Sequence, residues 1–463
     1  MNNNTIKYTK KLLNYNNYFN KNKRELFLIY KNFNDKLMTI IKNTSINELL
    51  KKNTQRFKWK AINLDKPIIY YEYNKENLTI DEFTELFNQY KIDFSKIKHI
   101  DITKYILNIN PEIINVLNFV HYVRYISLDI KLWIQNNINT CYKYDFQHLE
   151  LYYFFSDSEY NSDSSKQKQF NDKIYNIYII TKWIYDINPI YKIKYYFFDT
   201  PCKKTLPDKI VHKDIIDKFN LVEKNLSSQN ISSGFTSINE KKGYREIIIW
   251  RREEMYLVIT HELFHYLLLD TKFLNEDKYT SNTPLINIIN YKISGNTQFP
   301  LLINETITEI LSNFFYIMFL SIIQNNDIIQ KFNKFKIMYQ NELIFNWYQF
   351  VKIMKFFDIN SFNSELLQNK FNQTTSVFSY FILKPILSTE FCNIIFPFSY
   401  INKLFNNNYE ECNIYKCNYI VNFITKKMIN LKINEINLAL KNIEIKEDTL
   451  KRSLYSISDE FLL

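Results

Sequence analysis

The chain has 463 residues, of which 46% are hydrophobic and 17% aromatic, enough apolar material for a large folded core. This composition excludes a disordered chain, collagen, a coiled coil and a small disulfide scaffold. The formal net charge is +11, from 59 Lys and Arg against 48 Asp and Glu. The excess is mostly lysine and glycine occurs 3 times, as in the products of AT-rich genomes. Because genome composition alone can produce such a lysine excess, we interpret the charge as a solvated basic surface and not as a nucleic-acid interface.

No sign of secretion or membrane insertion is present in the sequence. The N-terminus lacks the apolar run of a signal peptide. The most apolar run, Ile310–Ile323, is shorter than the roughly 20 residues that a membrane-spanning helix needs. The five cysteines include no Cys-x-x-Cys pair, which predicts free thiols in a reducing compartment. We therefore expect an intracellular protein that is not secreted and has no membrane partner.

The first part of the chain, residues 1–155, is predicted to be a mainly helical N-terminal region. Its strongest signal is an amphipathic stretch at Pro111–Gln135. The polar run at residues 156–165 is typical of a loop and predicts a boundary. No motif in this region indicates its role.

The middle of the chain, residues 166–310, is predicted to mix helices and strands and to form the core of the protein. Its predicted elements are a helix at Lys173–Ile187, a strand at Ile193–Phe198, a hairpin of Gly234–Ile238 and Tyr244–Trp250, and a helix at Glu253–Leu269. Residues 311–463 are predicted to be a helical C-terminal subdomain that packs on this core. Its clearest helices are predicted at Thr374–Leu387 and Tyr419–Ile429.

The helix predicted at Glu253–Leu269 contains His-Glu-Leu-Phe-His at residues 261–265, an H-E-x-x-H motif. Two histidines four residues apart differ by about 40° around a helix, so His261 and His265 project from one face and can hold one zinc ion. Glu262 lies about 100° from His261, within reach of a water on the metal, and is the predicted general base. Burying these side chains in so apolar a helix is unfavourable unless a metal pairs with them.

A catalytic zinc site needs a third protein ligand and one open position. Glu305 and Glu309 open another apolar helix, four residues apart, and project together. One of them can ligate the metal while the other hydrogen-bonds a ligating imidazole. Glu276 and Asp277, in a polar loop, are alternative ligands, whereas Asp270 falls on the wrong face of its helix.

The residue that would stabilise the transition state is left open by the sequence. The candidates are His212, Tyr266, Tyr279 and Tyr291. The remaining histidines, His99, His121 and His148, are isolated and are predicted to be surface or core residues.

These motifs resemble the gluzincin branch of zinc metallopeptidases, in which H-E-x-x-H on one helix is followed by E-x-x-x-[DE] on the next. The block at residues 232–265, with Glu309 and its preceding threonine, is also similar to the zincin-type H-E-x-x-H proteins of giant nucleocytoplasmic DNA viruses. A fainter similarity continues through residues 374–380. The resemblance implies that Glu305 is the third zinc ligand and that Glu309 orients a ligating histidine.

The sequence thus predicts an α+β fold in which a zincin-like core, with a small mixed sheet, an edge hairpin and the H-E-x-x-H helix, is flanked by mainly helical N- and C-terminal regions. The predicted function is that of a zinc metallopeptidase acting on a peptide or protein in an extended conformation. A viral source would place it in the host cytoplasm or the virion. Two alternatives stay open: a catalytically silent zincin-fold virion protein with a structural or interaction role, and a basic nucleic-acid-binding protein. The oligomeric state is also open.

Overall fold

The protein is a mixed α+β structure built around one six-stranded sheet. The computed structural model describes residues 23–51, 54–59, 111–123, 125–160, 164–187, 192–206, 226–239, 244–267, 302–324, 327–360, 375–388 and 450–455, with the single residues 189, 371, 373 and 436. The strands are β1 (Thr54–Lys58), β2 (Thr140–Asp145), β3 (Leu149–Phe155), β4 (Lys192–Phe198), β5 (Gly234–Asn239) and β6 (Tyr244–Ile249). The strand order is β1-β2-β3-β4-β6-β5, in which β4 pairs in parallel with β3 and β6 and the other pairs are antiparallel.

Helices cover both faces of this sheet. They are α1 (Lys23–Asn43), α2 (Ile46–Lys51), α3 (Pro111–Tyr122), α4 (Leu128–Asn137), α5 (Asp157–Tyr160), α6 (Ser164–Tyr185), α7 (Ser228–Ile231), α8 (Met255–Tyr266), α9 (Ile303–Ile322), α10 (Ile328–Phe356) and α11 (Lys384–Ser388). A 3₁₀ turn at Arg252–Glu254 leads into α8, and a π-helical turn at Phe378–Leu383 leads into α11. Among the described residues, none of the helices combines the length and the hydropathy that a bilayer crossing requires.

The central strands are apolar on both sides because each side meets helices. On β3, Leu151, Tyr153 and Phe155 belong to a core shared with α6, α8, α9 and α10, whereas Tyr152 and Phe154 point to a second core shared with α3 and α4. The side chains of β4 and β6 alternate between the same two cores. Side chains alternate along a strand, so a sheet covered on both faces reads as a continuous apolar run.

The sheet extends across the boundary that the sequence predicts at residues 156–165. β1, β2 and β3 precede this boundary, so residues 1–155, predicted to be mainly helical, also supply three strands that the sequence did not predict. Of the three, β3 is buried on both faces and so lacks the alternation that distinguishes a half-buried strand from a buried helix. The larger core also takes residues from all three predicted segments, such as Leu26, Ile180 and Phe350.

The helix predicted at Lys173–Ile187 begins nine residues earlier, at Ser164, and the loop predicted at residues 156–165 is wrong because it contains α5 and the start of α6. The other predicted elements agree with the structure to within a few residues or fall outside the described residues. The strand predicted at Ile193–Phe198, the hairpin and the H-E-x-x-H helix are confirmed. The amphipathic stretch at Pro111–Gln135 divides into α3 and α4. The helix predicted at Thr374–Leu387 starts at the π-helical turn, and the one predicted at Tyr419–Ile429 lies outside the described residues.

Candidate metal centre

The helix that carries the H-E-x-x-H motif, α8, lies in the larger core and is buried along almost its whole length. Its C-terminal end is fixed by Arg245 on β6, whose guanidinium donates to the carbonyl of Tyr266 and lies over the Tyr266 ring, with Cζ 5.3 Å from the ring centroid. A cation at this end also suits the helix dipole. The orientation of the motif is therefore set by a buried contact between the helix and the sheet.

Close packing against β5 fixes the other side of α8. A Cβ atom at Gly234 would lie 2.7 Å from Cγ1 of Val258 and 3.0 Å from the carbonyl oxygen of Ile248. Real Cβ atoms do not approach so closely, so a side chain here would push the strand and the helix apart. Glycine at this position lets the edge strand run directly beside the motif.

His261 and His265 project from one face of α8, as the helical spacing predicts. Their Nε2 atoms lie 3.0 Å apart, and the ring centroids are 4.7 Å apart. Glu305, in the first turn of α9, faces both rings: its carboxylate oxygens are 3.5 Å from Nε2 of His261 and 3.6 Å from Nε2 of His265. The two helices are held together beside the site by the rings of Phe264 and Phe315, with centroids 5.1 Å apart.

The three side chains form a group that could hold one metal ion. One nitrogen or oxygen atom from each lies within 4.8 Å of the other two. Zinc bonds of about 2.0–2.1 Å in a tetrahedral geometry place ligand atoms about 3.3 Å apart, and the two Nε2 atoms are 3.0 Å apart. A different oxygen of Glu305 lies near each of them, Oε2 at 3.5 Å from His261 and Oε1 at 3.6 Å from His265. Two imidazoles and a carboxylate are also a donor set that zinc accepts. The residues therefore fit a zinc ion.

Glu309 lies one turn further along α9 and contacts the other nitrogen of His261. Its Oε2 atom is 3.0 Å from Nδ1 of His261. Both side chains are almost completely buried, at 0% and 2% exposure, whereas Glu305 and His265 are 16% and 12% exposed. A carboxylate at Nδ1 fixes the tautomer of a ligating histidine and directs Nε2 towards the metal. The structure gives the two glutamates different positions, with Glu305 facing Nε2 and Glu309 facing Nδ1.

Charged partners hold Glu309 in its ionised form. Its carboxylate receives hydrogen bonds from Nζ of Lys384 (3.2 Å), Nη1 of Arg452 (3.3 Å) and Nδ2 of Asn313 (3.3 Å). Burial alone would raise the pKa of this carboxyl, but Arg452 and Lys384 outweigh it and hold the pKa of Glu309 well below its usual range. Glu305 follows the same pattern: burial opposes ionisation, yet the facing His265 and His261 hold its pKa well below the usual range.

Glu262, the predicted general base, contacts the edge strand. Its Oε2 atom accepts a hydrogen bond of 2.7 Å from the hydroxyl of Thr236 on β5. The same hydroxyl lies 3.2 Å from the backbone oxygen of Glu262. Phe235, the preceding residue of β5, instead packs on the second core with Phe119 and Trp250. Thr236 thus faces the motif while its neighbour anchors the strand on the opposite side.

A tyrosine that the sequence did not single out as a site residue lies beside the candidate metal ligands. The hydroxyl of Tyr380, in the π-helical turn, donates to Oε2 of Glu305 at 2.8 Å, and its ring lies 5.9 Å from the imidazole of His261. Burial and the Glu305 carboxylate raise the pKa of Tyr380 well above its usual range, so this hydroxyl keeps its proton. The faint resemblance over residues 374–380 was the one signal in the sequence that pointed to this region.

Three arginines near the motif all hold buried backbone or carboxylate groups. Besides Arg245, Arg251 donates to the carbonyl oxygens of Ser232 (3.2 Å) and Lys203 (2.5 Å), and Arg252 binds the buried carboxylate of Asp199. These contacts join the end of β6 and the start of α8 to the neighbouring loops. Each of these contacts uses the planar set of donors that a guanidinium has and a lysine lacks, which accounts for arginine at these positions in a lysine-rich chain.

Two of the remaining predicted candidates, Tyr266 and His148, are described and lie outside this group. Tyr266 is fully buried against Arg245, and His148 lies between the rings of Tyr178 and Tyr185. Cys141 and Cys202 are free thiols, as predicted. The side chains outside the described residues are those of His99, His121, His212, Asp270, Glu276, Asp277, Tyr279, Tyr291, Cys392, Cys412 and Cys417.

Comparison with known proteins found no relative of this chain. No family model, no curated protein and no solved structure matches the chain. Function must therefore be argued from the geometry of the site.

Proposed function

We propose that this chain is a zinc-dependent metallopeptidase with a zincin-like core. The observation that carries the proposal is the convergence of His261, His265 and Glu305, with Glu262 next to His261 in the chain. Structural zinc sites have four protein ligands, whereas catalytic sites have three and an open position for water or substrate. Two histidines, one carboxylate and an adjacent carboxylate base are the components of metal-assisted hydrolysis.

Each residue then has a defined task. Zinc held by His261, His265 and Glu305 would polarise the scissile carbonyl and lower the pKa of a bound water to about 7. Glu262 would accept the proton of the attacking water and deliver it to the leaving amine. The hydrogen bond from Thr236 holds one oxygen of that base in place. Tyr380, a neutral donor, fixes the orientation of Glu305.

The substrate class follows from the edge strand. β5 pairs with β6 on one side and ends the sheet among the described residues, so its other edge can accept an extended peptide by β-augmentation. The contact between Thr236 and Glu262 ties this strand to the base. A peptide paired with β5 would therefore pass beside Glu262 and the three ligands. We propose an extended peptide or an unfolded protein segment as the substrate.

Metal content tests the proposal directly. We expect about one zinc per chain in protein purified without chelators, and loss of this zinc in His265→Ala. His148→Gln is the matched control, because it replaces a described histidine remote from the ligand group and should keep the zinc. Stoichiometric iron, or apoprotein that takes up no metal from a zinc solution, would overturn the proposal.

A further inference from the structure

Residues 450–455, which we call the strap, pack beside the metal centre. Three of its backbone amides donate to acceptors on other elements: Leu450 to the Lys204 carbonyl (3.0 Å), Arg452 to Oε1 of Glu254 (2.5 Å) and Leu454 to Oε2 of Glu342 (2.9 Å). The backbone of the strap is therefore held at three points along its length.

One strap residue, Arg452, contacts both groups that support the metal ligands. Its Nη1 atom lies 3.3 Å from Oε2 of Glu309, the same atom that is 3.0 Å from Nδ1 of His261. Its guanidinium also lies over the Tyr380 ring, with Cζ 5.1 Å from the ring centroid, and the Tyr380 hydroxyl binds Glu305. Arg452 is thus one contact away from two of the three predicted ligands.

Charge couples the strap to the same site. Three basic side chains and three carboxyl side chains, all nearly completely buried, form a continuous cluster: Lys204, Lys384, Arg452, Glu254, Glu309 and Glu342. Lys384 binds both the carbonyl of Arg452 and the carboxylate of Glu309. Removing one partner from such a cluster leaves a buried charge without compensation. Arg452 therefore helps to hold the Glu309 carboxylate in place.

We infer that the strap supports the metal centre. Arg452 is a positioning residue, and docking of the strap and binding of the metal stabilise each other. The inference rests on the proposed function only in requiring that the site binds zinc. A Glu309 carboxylate held against Nδ1 of His261 directs Nε2 to the metal, and a bound metal in turn fixes His261 and Glu309 for Arg452. Coupling of two binding events acts equally in both directions.

The first test measures zinc affinity by competition with a chromophoric chelator. Arg452→Met should weaken zinc binding several-fold, less than the about 10–100-fold typical of losing a group bonded to a ligand, because Arg452 acts through Glu309 and Tyr380. Arg452→Lys, which keeps the charge, should fall between Arg452→Met and wild type. Arg56→Met is the matched control: it makes the same change at an arginine of β1 that pairs with Asp157, outside the strap, and should bind zinc as wild type does. Equal affinities for Arg452→Met and wild type would overturn the inference.

The second test uses the wild-type chain and does not depend on whether a variant folds. Hydrogen exchange at the amides of Leu450, Arg452 and Leu454 should be slower with zinc than with a chelator. His265→Ala should show no such difference. Unchanged exchange, with bound zinc verified by elemental analysis, would overturn the coupling and leave the proposed function standing. A wild-type chain that binds no zinc would overturn both.

Discussion

The different positions of the two glutamates on α9 predict different consequences of replacing them. Glu305 faces Nε2 of both histidines, and Glu309 faces Nδ1 of His261. Glu305→Gln removes the anionic ligand and should abolish tight zinc binding. Glu309→Gln should weaken it by about 10–100-fold, which is about 1.4–2.7 kcal/mol of binding free energy. Glu262→Gln should bind zinc as wild type does, because Glu262 binds Thr236 and is not a ligand.

Glu309→Gln should also reduce the stability of the metal-free protein. Its carboxylate is fully buried and compensates Arg452 and Lys384, both of which are buried. Breaking a buried ion pair from one side typically costs about 3–5 kcal/mol. Glu305 is partly exposed and has no lysine or arginine partner among the described residues, so Glu305→Gln should change the unfolding free energy much less. Glu305→Gln should therefore have the lower zinc affinity, and Glu309→Gln should have the lower stability.

Chelator competition measures the zinc affinities, and urea unfolding in the presence of a chelator measures the stabilities of the apoproteins. An inverted affinity order would assign the ligand role to Glu309 and refute the geometry described above. An unfolding free energy for Glu309→Gln within about 1 kcal/mol of wild type would refute the buried ion cluster.

Three further predictions concern the surroundings of the site and the stability of the fold. Gly234→Ala should lower the unfolding free energy by about 1–3 kcal/mol in urea titrations, because the added Cβ meets Val258; wild-type stability would contradict the close packing of β5 on α8. Burial, with two nearby lysines, lowers the pKa of His148 to about 4 from an ordinary 6.5, so its folded form resists protonation. Stability should fall as the pH drops from about 6.5 towards 4, by about 2 kcal/mol at pH 5, and His148→Gln should lose this part of the pH dependence; parallel pH profiles for the two proteins would count against it. Thr236→Val should reduce kcat by about tenfold without changing zinc content, whereas Thr236→Ser should retain activity; equal loss in both would show that the hydroxyl is not what holds Glu262.

The H-E-x-x-H helix and the hairpin before it were predictable because their sequence signals are local. The spacing of His261 and His265 fixes their common face on any helix, and the structure agrees. The hairpin before them was visible because its turn residues and β-branched runs are local signals. Glu305 and Glu309 could be assigned to one helix face by the same spacing, but which nitrogen each would meet depends on how α9 crosses α8.

Tertiary packing explains what the sequence did not reveal. β3 was missed because it is covered on both faces and residues 149–155 show no alternation. Tyr380 and Arg452 reach the site from 75 and 143 residues beyond their partners Glu305 and Glu309. No periodicity links residues that far apart, and the chain has 36 tyrosines from which to choose.

The central claim is that the zinc site cleaves peptide bonds with Glu262 as the base. The most direct measurement is a comparison of zinc-loaded wild type and zinc-loaded Glu262→Gln on a complex mixture of peptides, with the new termini identified by mass spectrometry. We predict new termini for wild type and none for Glu262→Gln, although both proteins carry about one zinc per chain. The same termini from both proteins would contradict the role of Glu262. No cleavage by wild type with its zinc in place would contradict the peptidase claim and favour a structural role for the site.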